Sequence, residues 1–188
     1  GSKVQLRIYQ ASTGTRLIEL FNNKTRYKNE YSHKTGNRIK VFDSTGITKH
    51  TVETIIINSK PACIVFDQLD KIQGFSGDRE DLRLGDIYIW ARELAKKYCP
   101  VIGVCQSDAS GEGKRWLTMD NVANAKTAKQ AEADWILGIG KTHNESEEYQ
   151  RFLSICKNKL FGDEDTDPSL RHGKLTVNIL PEIARYGD

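Results

Sequence analysis

Apolar positions along the chain fall into periodic stretches and short continuous runs that alternate. Residues 84–98 carry apolar side chains at 84, 87, 90, 91, 94 and 95, a stripe at helical period that Pro100 stops. Residues 4–9 and 17–21 have helical spacing too, separated by Gly14, and 48–59 carries apolar residues at 52, 55, 56 and 57. Shorter runs rich in β-branched residues read as strands: 63–66, 101–105, 135–139, 152–156 and 174–180. Residues 38–42 alternate and predict a further strand. The stretch 22–37 is polar and ends in a turn signal, 107–120 has no periodicity, and the alanine-rich 121–133 predicts helix in part.

Strand, helix, strand over 63–105, with polar residues closing each strand, is the layout of an open parallel sheet, whose ligands bind beyond the carboxyl ends of the strands. The expected fold class is α/β, a mostly parallel sheet flanked by helices. The two strands nearest the carboxyl end, 152–156 and 174–180, are expected to form an antiparallel pair at its edge. A length of 188 residues with no internal repeat or linker suits a single domain spanning 1–188. No apolar run approaches the roughly 20 residues needed to span a bilayer, and the start lacks the basic-then-apolar layout of a leader. The cysteines at 63, 99, 105 and 156 show no CxxC spacing. Buried, reduced thiols and a cytosolic compartment are the expectation.

The formal charge of +3 does not by itself mark a nucleic-acid binder, but its distribution is uneven. Arg16, Lys24, Arg26, Lys28, Lys34, Arg38 and Lys40 crowd one stretch against Glu19 and Glu30, whereas 145–167 is acidic. Such segregation marks an oriented surface, a subunit contact or simply a solvated face.

Candidate chemistry gathers at the strand ends. Asp67 follows a buried strand, as a carboxylate that holds hydrated Mg²⁺ beside nucleotide phosphates does, or as an aspartate that caps the next turn does. Asp70 reads as a capping or surface residue. Gln106 closes the next strand; its amide donates and accepts, so it suits sensing a phosphate or simply ends the strand satisfied. The segment 107–133 is long, and loops of that length are functional or disordered. Its Lys114, Arg115, Lys126 and Lys129 offer phosphate contacts and Trp116 offers a stacking face. Asp108, Glu112, Asp120 and Glu132 balance those charges. Gly111-Glu112-Gly113-Lys114-Arg115 lacks the GxxxxGK[ST] spacing and is rejected as a P-loop. Lys157 and Lys159 share one face of a strand, suited to reaching a neighbouring subunit's nucleotide or to protecting a sheet edge.

From about residue 64 to 186, these motifs in their order resemble the RecA-like motor domain of hexameric replicative DNA helicases, the DnaB and bacteriophage primase-helicase type. Cys63-Ile64-Val65-Phe66-Asp67-Gln68 looks like Walker B, and Val101-Ile102-Gly103-Val104-Cys105-Gln106 resembles the family's strand ending in His or Gln. Asn124-Ala125-Lys126-Thr127-Ala128-Lys129-Gln130 leading into Asp134-Trp135-Ile136-Leu137-Gly138-Ile139 is the most family-like part of the following region. Lys157-Asn158-Lys159, followed by Phe161-Gly162-Asp163, resembles the run holding the trans-acting arginine finger, with Lys159 where the family has arginine. Residues 4–20 look like the helix after the strand that carries the catalytic glutamate.

The resemblance implies an NTP-dependent DNA helicase motor using Mg²⁺ and ATP or another NTP. Asp67 would be the magnesium-linked carboxylate, Gln106 the phosphate sensor, and Lys157 and Lys159 the trans-acting cations. Lys114, Arg115, Lys126 and Lys129 would contact single-stranded DNA. The implied partners are DNA and further copies in a ring, a hexamer by analogy, in a phage or bacterial replisome and away from membranes. The family's Walker A loop and catalytic glutamate are expected upstream of Gly1, so the 188 residues alone are expected to bind nucleotide poorly and hydrolyse none. A filament-forming RecA-like recombinase and a non-catalytic α/β binding module are the competing readings.

Overall fold

The computed structural model describes residues 2–76, 79–123, 126–159 and 169–187, without the side chains of Ser2, Lys126, Ser169 and Leu170. Asn124-Ala125, the Lys126 side chain, Phe161-Gly162-Asp163 and the acidic stretch around them therefore lie outside the described residues. The helices are α1 (Ser2–Thr13), α2 (Leu17–Asn22), α3 (Lys24–Thr35), α4 (Lys49–Ser59), α5 (Glu80–Lys97), α6 (Lys126–Glu132) and α7 (Ser169–His172). The strands are β1 (Ile64–Asp67), β2 (Val101–Val104), β3 (Trp135–Gly140), β4 (Gln150–Asn158), β5 (Lys174–Leu180) and β6 (Arg185–Gly187). They form a parallel pair, β1-β2, and a four-stranded sheet in the order β3-β4-β5-β6.

The mixed α/β class is as expected, but the parallel part among the described residues is confined to β1 and β2. β3, expected to extend the parallel sheet, runs antiparallel to β4, with Trp135 opposite Asn158 and Gly140 opposite Phe152. β4 and β5 are neighbours in the strand order, and β6 is an addition that the sequence pattern did not signal.

The packing divides into two compact units, 44–143 with 152–175, and 1–43 with 144–151 and 176–188. In the first unit the core is one cluster: Val52 and Ile56 of α4, Phe66 of β1, Leu69 and Ile72 after it, and the α5 stripe of Leu84, Ile87, Trp90, Ala91 and Leu94. Helix α5 starts on Glu80 and Asp81 and ends on Lys96 and Lys97, an arrangement that complements its macrodipole. Helix α4 is capped by Thr48, whose side chain accepts from the Thr51 amide. The pleat of β1 turns Phe66 onto Trp90, with ring centroids 5.7 Å apart. Val65 is left 61 % exposed, beside Ile102 and Val104 of β2, which are also exposed.

In the second unit α1 packs on α3, and the Tyr9 and Tyr31 rings meet edge-on at 4.4 Å. Helix α3 occupies the polar stretch that carried no helical signal, and it ends on Gly36 at φ +58°. Tyr31 is its one buried side chain, so its stability comes from that tertiary contact and not from an apolar stripe. The strand expected over 38–42 does not form. Ile39, Val41 and Phe42 are all exposed, and the segment has no ladder partner among the described residues.

Candidate functional site

Everything that positions Asp67 and Gln106 follows from the β1-β2 register. Ile64 pairs with Val101 and Asp67 with Val104, in parallel, so both chains leave the sheet at the same end. Asp67 is exposed there, and Gln106, also exposed, follows Val104 by two residues on the neighbouring chain. The strand-end arrangement expected for these two residues is present.

Asp67 opens onto a cleft of about 520 Å³ lined by Ser44, Thr45, Gly46, Gln68, Lys71 and Gln73. Backbone hydrogen bonds hold its two walls together: the Lys49 amide donates to Gln73 O at 2.8 Å and the Gln73 amide to Ile47 O at 3.0 Å. A tight turn shapes the far wall, with the Ile47 amide donating to Ser44 O and Gly46 at φ +69°. A carboxylate, two hydroxyls and two amides offer hard oxygen donors, with the Lys71 ammonium beside them, a set that suits Mg²⁺ held by one carboxylate and substrate phosphates.

The segment beyond Gln106 is a pinned excursion, not an open loop. The Ala123 amide donates to Gln106 O, Ser107 bridges Val122 antiparallel, and the Asp108 amide donates to Asn121 O at 2.8 Å. Asn121, 2 % exposed, closes the interior. Its Oδ1 accepts from the Thr118 amide, and its Nδ2 donates to Ser110 Oγ at 2.9 Å. The far side lies against β3 and β4, where Leu117 O accepts from Ser154 Oγ at 2.7 Å and from Cys156 Sγ at 3.2 Å. At Gly140 a β-carbon would stand 2.6 Å from Lys114 O and against Arg115 O, so only glycine admits this approach. Gly111-Glu112-Gly113-Lys114-Arg115 does not lead directly into an α-helix, the next one being α6 at Lys126, in keeping with its rejection as a P-loop.

Lys114 and Arg115 ride on the outside of this excursion and are exposed. Trp116 is half-buried instead of presenting a free stacking face. Its ring meets Phe152 edge-on at 5.3 Å, and the Lys174 ammonium lies 5.6 Å from its centroid. Lys129 departs further from expectation: it is 2 % exposed, and its Nζ is bound to Asp70 Oδ2 at 2.6 Å. A committed, buried ammonium does not reach a DNA phosphate, so Lys129 is removed from the expected DNA contacts. Asp70, read as a surface or capping residue, is its partner and also accepts from Tyr88 Oη at 2.8 Å. The hint available in sequence was its place between Leu69 and Ile72, both fully buried.

Lys157 lies near the end of β4 and Lys159 just past it, so the shared strand face expected for the pair is not formed; both nevertheless donate to α6, Lys157 to Gln130 O and Lys159 to Ala131 O at 3.1 Å. Cations on the last carbonyls of a helix complement its dipole. Burial, then the neighbouring Lys159 ammonium, lower the Lys157 pKa. Arg92 fixes the same helix end from α5, through Glu132 O at 2.6 Å and Asp134 Oδ1 at 2.9 Å. All four cysteines are free, but the three expected to be buried within strands are not: Cys63 is exposed and Cys105 and Cys156 are half-buried, while Cys99 is the buried one. Among the described residues there is no metal-ligating cluster of His, Cys, Asp and Glu, and no helix is long and apolar enough to cross a membrane.

No protein-family model matches the sequence, and no curated protein matches it. Solved structures do. One, an ATPase domain, superposes with a TM-score of 0.74 at 15 % identity, covering 99 % of this chain and 70 % of that one. A DnaB-like replicative helicase, solved to describe its interactions with primase, superposes with a TM-score of 0.69 at 11 % identity. The match covers 99 % of this chain and 49 % of the helicase, so the chain spans about half of that protein. The chain has the fold of the ATPase domain of DnaB-type replicative helicases.

Proposed function

We propose that this chain is part of an NTP-dependent replicative DNA helicase motor that couples nucleotide hydrolysis to movement along single-stranded DNA. The observation that carries the reading is the parallel register that brings Asp67 and Gln106 out at one end of β1 and β2, with a pinned, cation-bearing excursion beginning at Gln106. In this reading Asp67, with Ser44 and Thr45 across the cleft, faces hydrated Mg²⁺ and the nucleotide phosphates. The metal, when bound, supplies charge neutralisation between phosphate oxygens. Gln106 reads the phosphate state through an amide that both donates and accepts. Lys114 and Arg115 hold the DNA backbone as sequence-independent phosphate contacts. Lys157 and Lys159 serve a neighbouring subunit's nucleotide in a ring of copies, and Mg²⁺ with ATP or another NTP is the fuel.

The test is hydrolysis of ATP and dTTP by the full-length protein, with and without single-stranded DNA, beside its Asp67→Asn variant. DNA-stimulated turnover that falls to background in the variant is expected. Full turnover in the variant removes Asp67 from the reaction, and no turnover in either protein removes the motor reading.

A further inference from the structure

Helix α6 buries a charged group that the roles above leave unused. The Lys129 ammonium sits 5.2 Å from the centroid of the Tyr88 ring and donates to one oxygen of Asp70. The other oxygen of Asp70 accepts from Tyr88 Oη. Burial, then Cys105, then Asp70, keep the Tyr88 phenol well above the ordinary tyrosine range.

These groups come from separate elements. Asp70 lies in the 3-10 turn Leu69–Lys71 that follows Asp67. Cys105 immediately precedes Gln106, Tyr88 belongs to α5, and Lys129 belongs to α6. Helix α6 in turn touches the excursion, because Gln130 Nε2 donates to Met119 O at 2.8 Å. Burying an ion pair adds little stability over apolar packing of the same volume, so stability alone does not account for a lysine here. What the pair adds is direction: each carboxylate oxygen of Asp70 is fixed by a different helix.

We infer that Lys129 is a positioning residue that ties the turn behind Asp67, and through Tyr88 helix α5, to the helix that contacts the DNA-facing excursion. The inference rests on the motor reading above and goes beyond it. A polyanion that displaces 107–123 then moves α6, and the Lys129–Asp70–Tyr88 contacts carry that movement to the nucleotide-facing residues. Coupling between sites of this kind is a free energy that two readouts must share.

The experiment compares full-length wild type with Lys129→Arg and with the double variant Asp70→Asn/Lys129→Met, which nearly preserves volume, leaves no unpaired charge and keeps an acceptor for Tyr88 Oη. Two quantities are read with oligothymidylate as the probe: the ratio of DNA-stimulated to basal hydrolysis, and amide exchange over 67–72 with and without the oligonucleotide. DNA affinity and melting temperature are measured alongside. The double variant is expected to bind the oligonucleotide as wild type does, to lose at least about tenfold of the stimulation ratio, and to show no DNA-dependent change at 67–72. Lys129→Arg is expected to recover part of both. A double variant with wild-type stimulation and a wild-type exchange response overturns the inference. Should wild type hydrolyse nothing, the motor reading fails and exchange alone decides. Faster exchange at 67–72 in the double variant at unchanged melting temperature then upholds the tie, and unchanged exchange overturns it.

Discussion

The carbonyl oxygen of Lys114 lies 2.6 Å from where a β-carbon on Gly140 would stand. β3 ends in Gly138-Ile139-Gly140, and both glycines face the excursion, since a β-carbon on Gly138 would meet the Leu117 side chain at 2.8 Å. The cation-bearing segment is therefore seated on a strand stripped of side chains on that face. Gly140→Ala forces the backbone of 114–115 away from β3. Overpacking of this kind costs about 1–3 kcal/mol. Weaker single-strand binding with secondary structure retained is the expected outcome, checked by fluorescence anisotropy with a labelled oligonucleotide and by circular dichroism. Wild-type affinity would mean that the seat of the segment does not set its grip.

Lys129 makes a contrasting prediction about stability. Removing one partner of a buried pair leaves the other charge uncompensated, at a cost of about 3–5 kcal/mol for a fully buried pair. The Asp70 side chain keeps 22 % exposure, so water takes up part of that loss and the lower end applies. Lys129→Met is expected to lower the melting temperature by several degrees, at about 2–4 °C per kcal/mol for a chain of this size. Asp70→Asn added to Lys129→Met, which removes the unpaired charge and keeps an acceptor for Tyr88 Oη, is expected to restore most of it. A double variant no more stable than the single one would show that the two charges do not answer each other.

Much of this arrangement was legible in the sequence, and the boundary is physical. The apolar stripe of α5 is set by periodicity and burial of one face, the runs of β1, β2 and β3 by their short stretches of β-branched residues, and they formed where the pattern put them. So did the register that brings Asp67 and Gln106 out together, because strand, helix and strand in that order leave few other topologies. Helix α3 was hidden because Tyr31 alone is buried, and one residue makes no period. The strand expected over 38–42 failed for the converse reason: alternation proposes a strand, but only a partner makes one. Lys129 was misread because a lysine in a polar helix is usually solvated, and its burial depends on Asp70 and Tyr88, 59 and 41 residues away in sequence. Pairings at that distance leave no local trace.

The DNA-facing assignment separates the cations cleanly. Lys114 and Arg115 are exposed, whereas Lys129 is enclosed. Each phosphate contact on a single strand adds about 0.7 to the slope of log affinity against log salt. Replacing Lys114 and Arg115 with alanine is expected to flatten that slope by about 1.4. Lys129→Met, assayed below its melting temperature, is expected to leave the slope unchanged. A flattened slope in the Lys129 variant would place its ammonium on the DNA and contradict the buried geometry.

Lys157 and Lys159 carry the last prediction, which turns on which subunit each serves. Lys159 is exposed and donates to Ala131 O, while Lys157 is half-buried against Gln130 O. Of the two, Lys159 is the more exposed, and it offers a point charge where the resembling family offers a planar fork. Lys159→Ala is expected to depress hydrolysis by the full-length protein while leaving nucleotide binding intact, because a group acting on a neighbour's phosphates contributes nothing to its own subunit's pocket. Asp67→Asn is expected to fail for the opposite reason, by disabling its own pocket while keeping Lys159 for the next one. Mixing the two inactive proteins then places an intact Asp67 on one subunit against an intact Lys159 on its neighbour, and hydrolysis should reappear with a dependence on the mixing ratio. Inactivity at every ratio, with mixed assembly confirmed by native mass spectrometry, would assign Lys159 to its own subunit, as a cation that only steadies the end of α6.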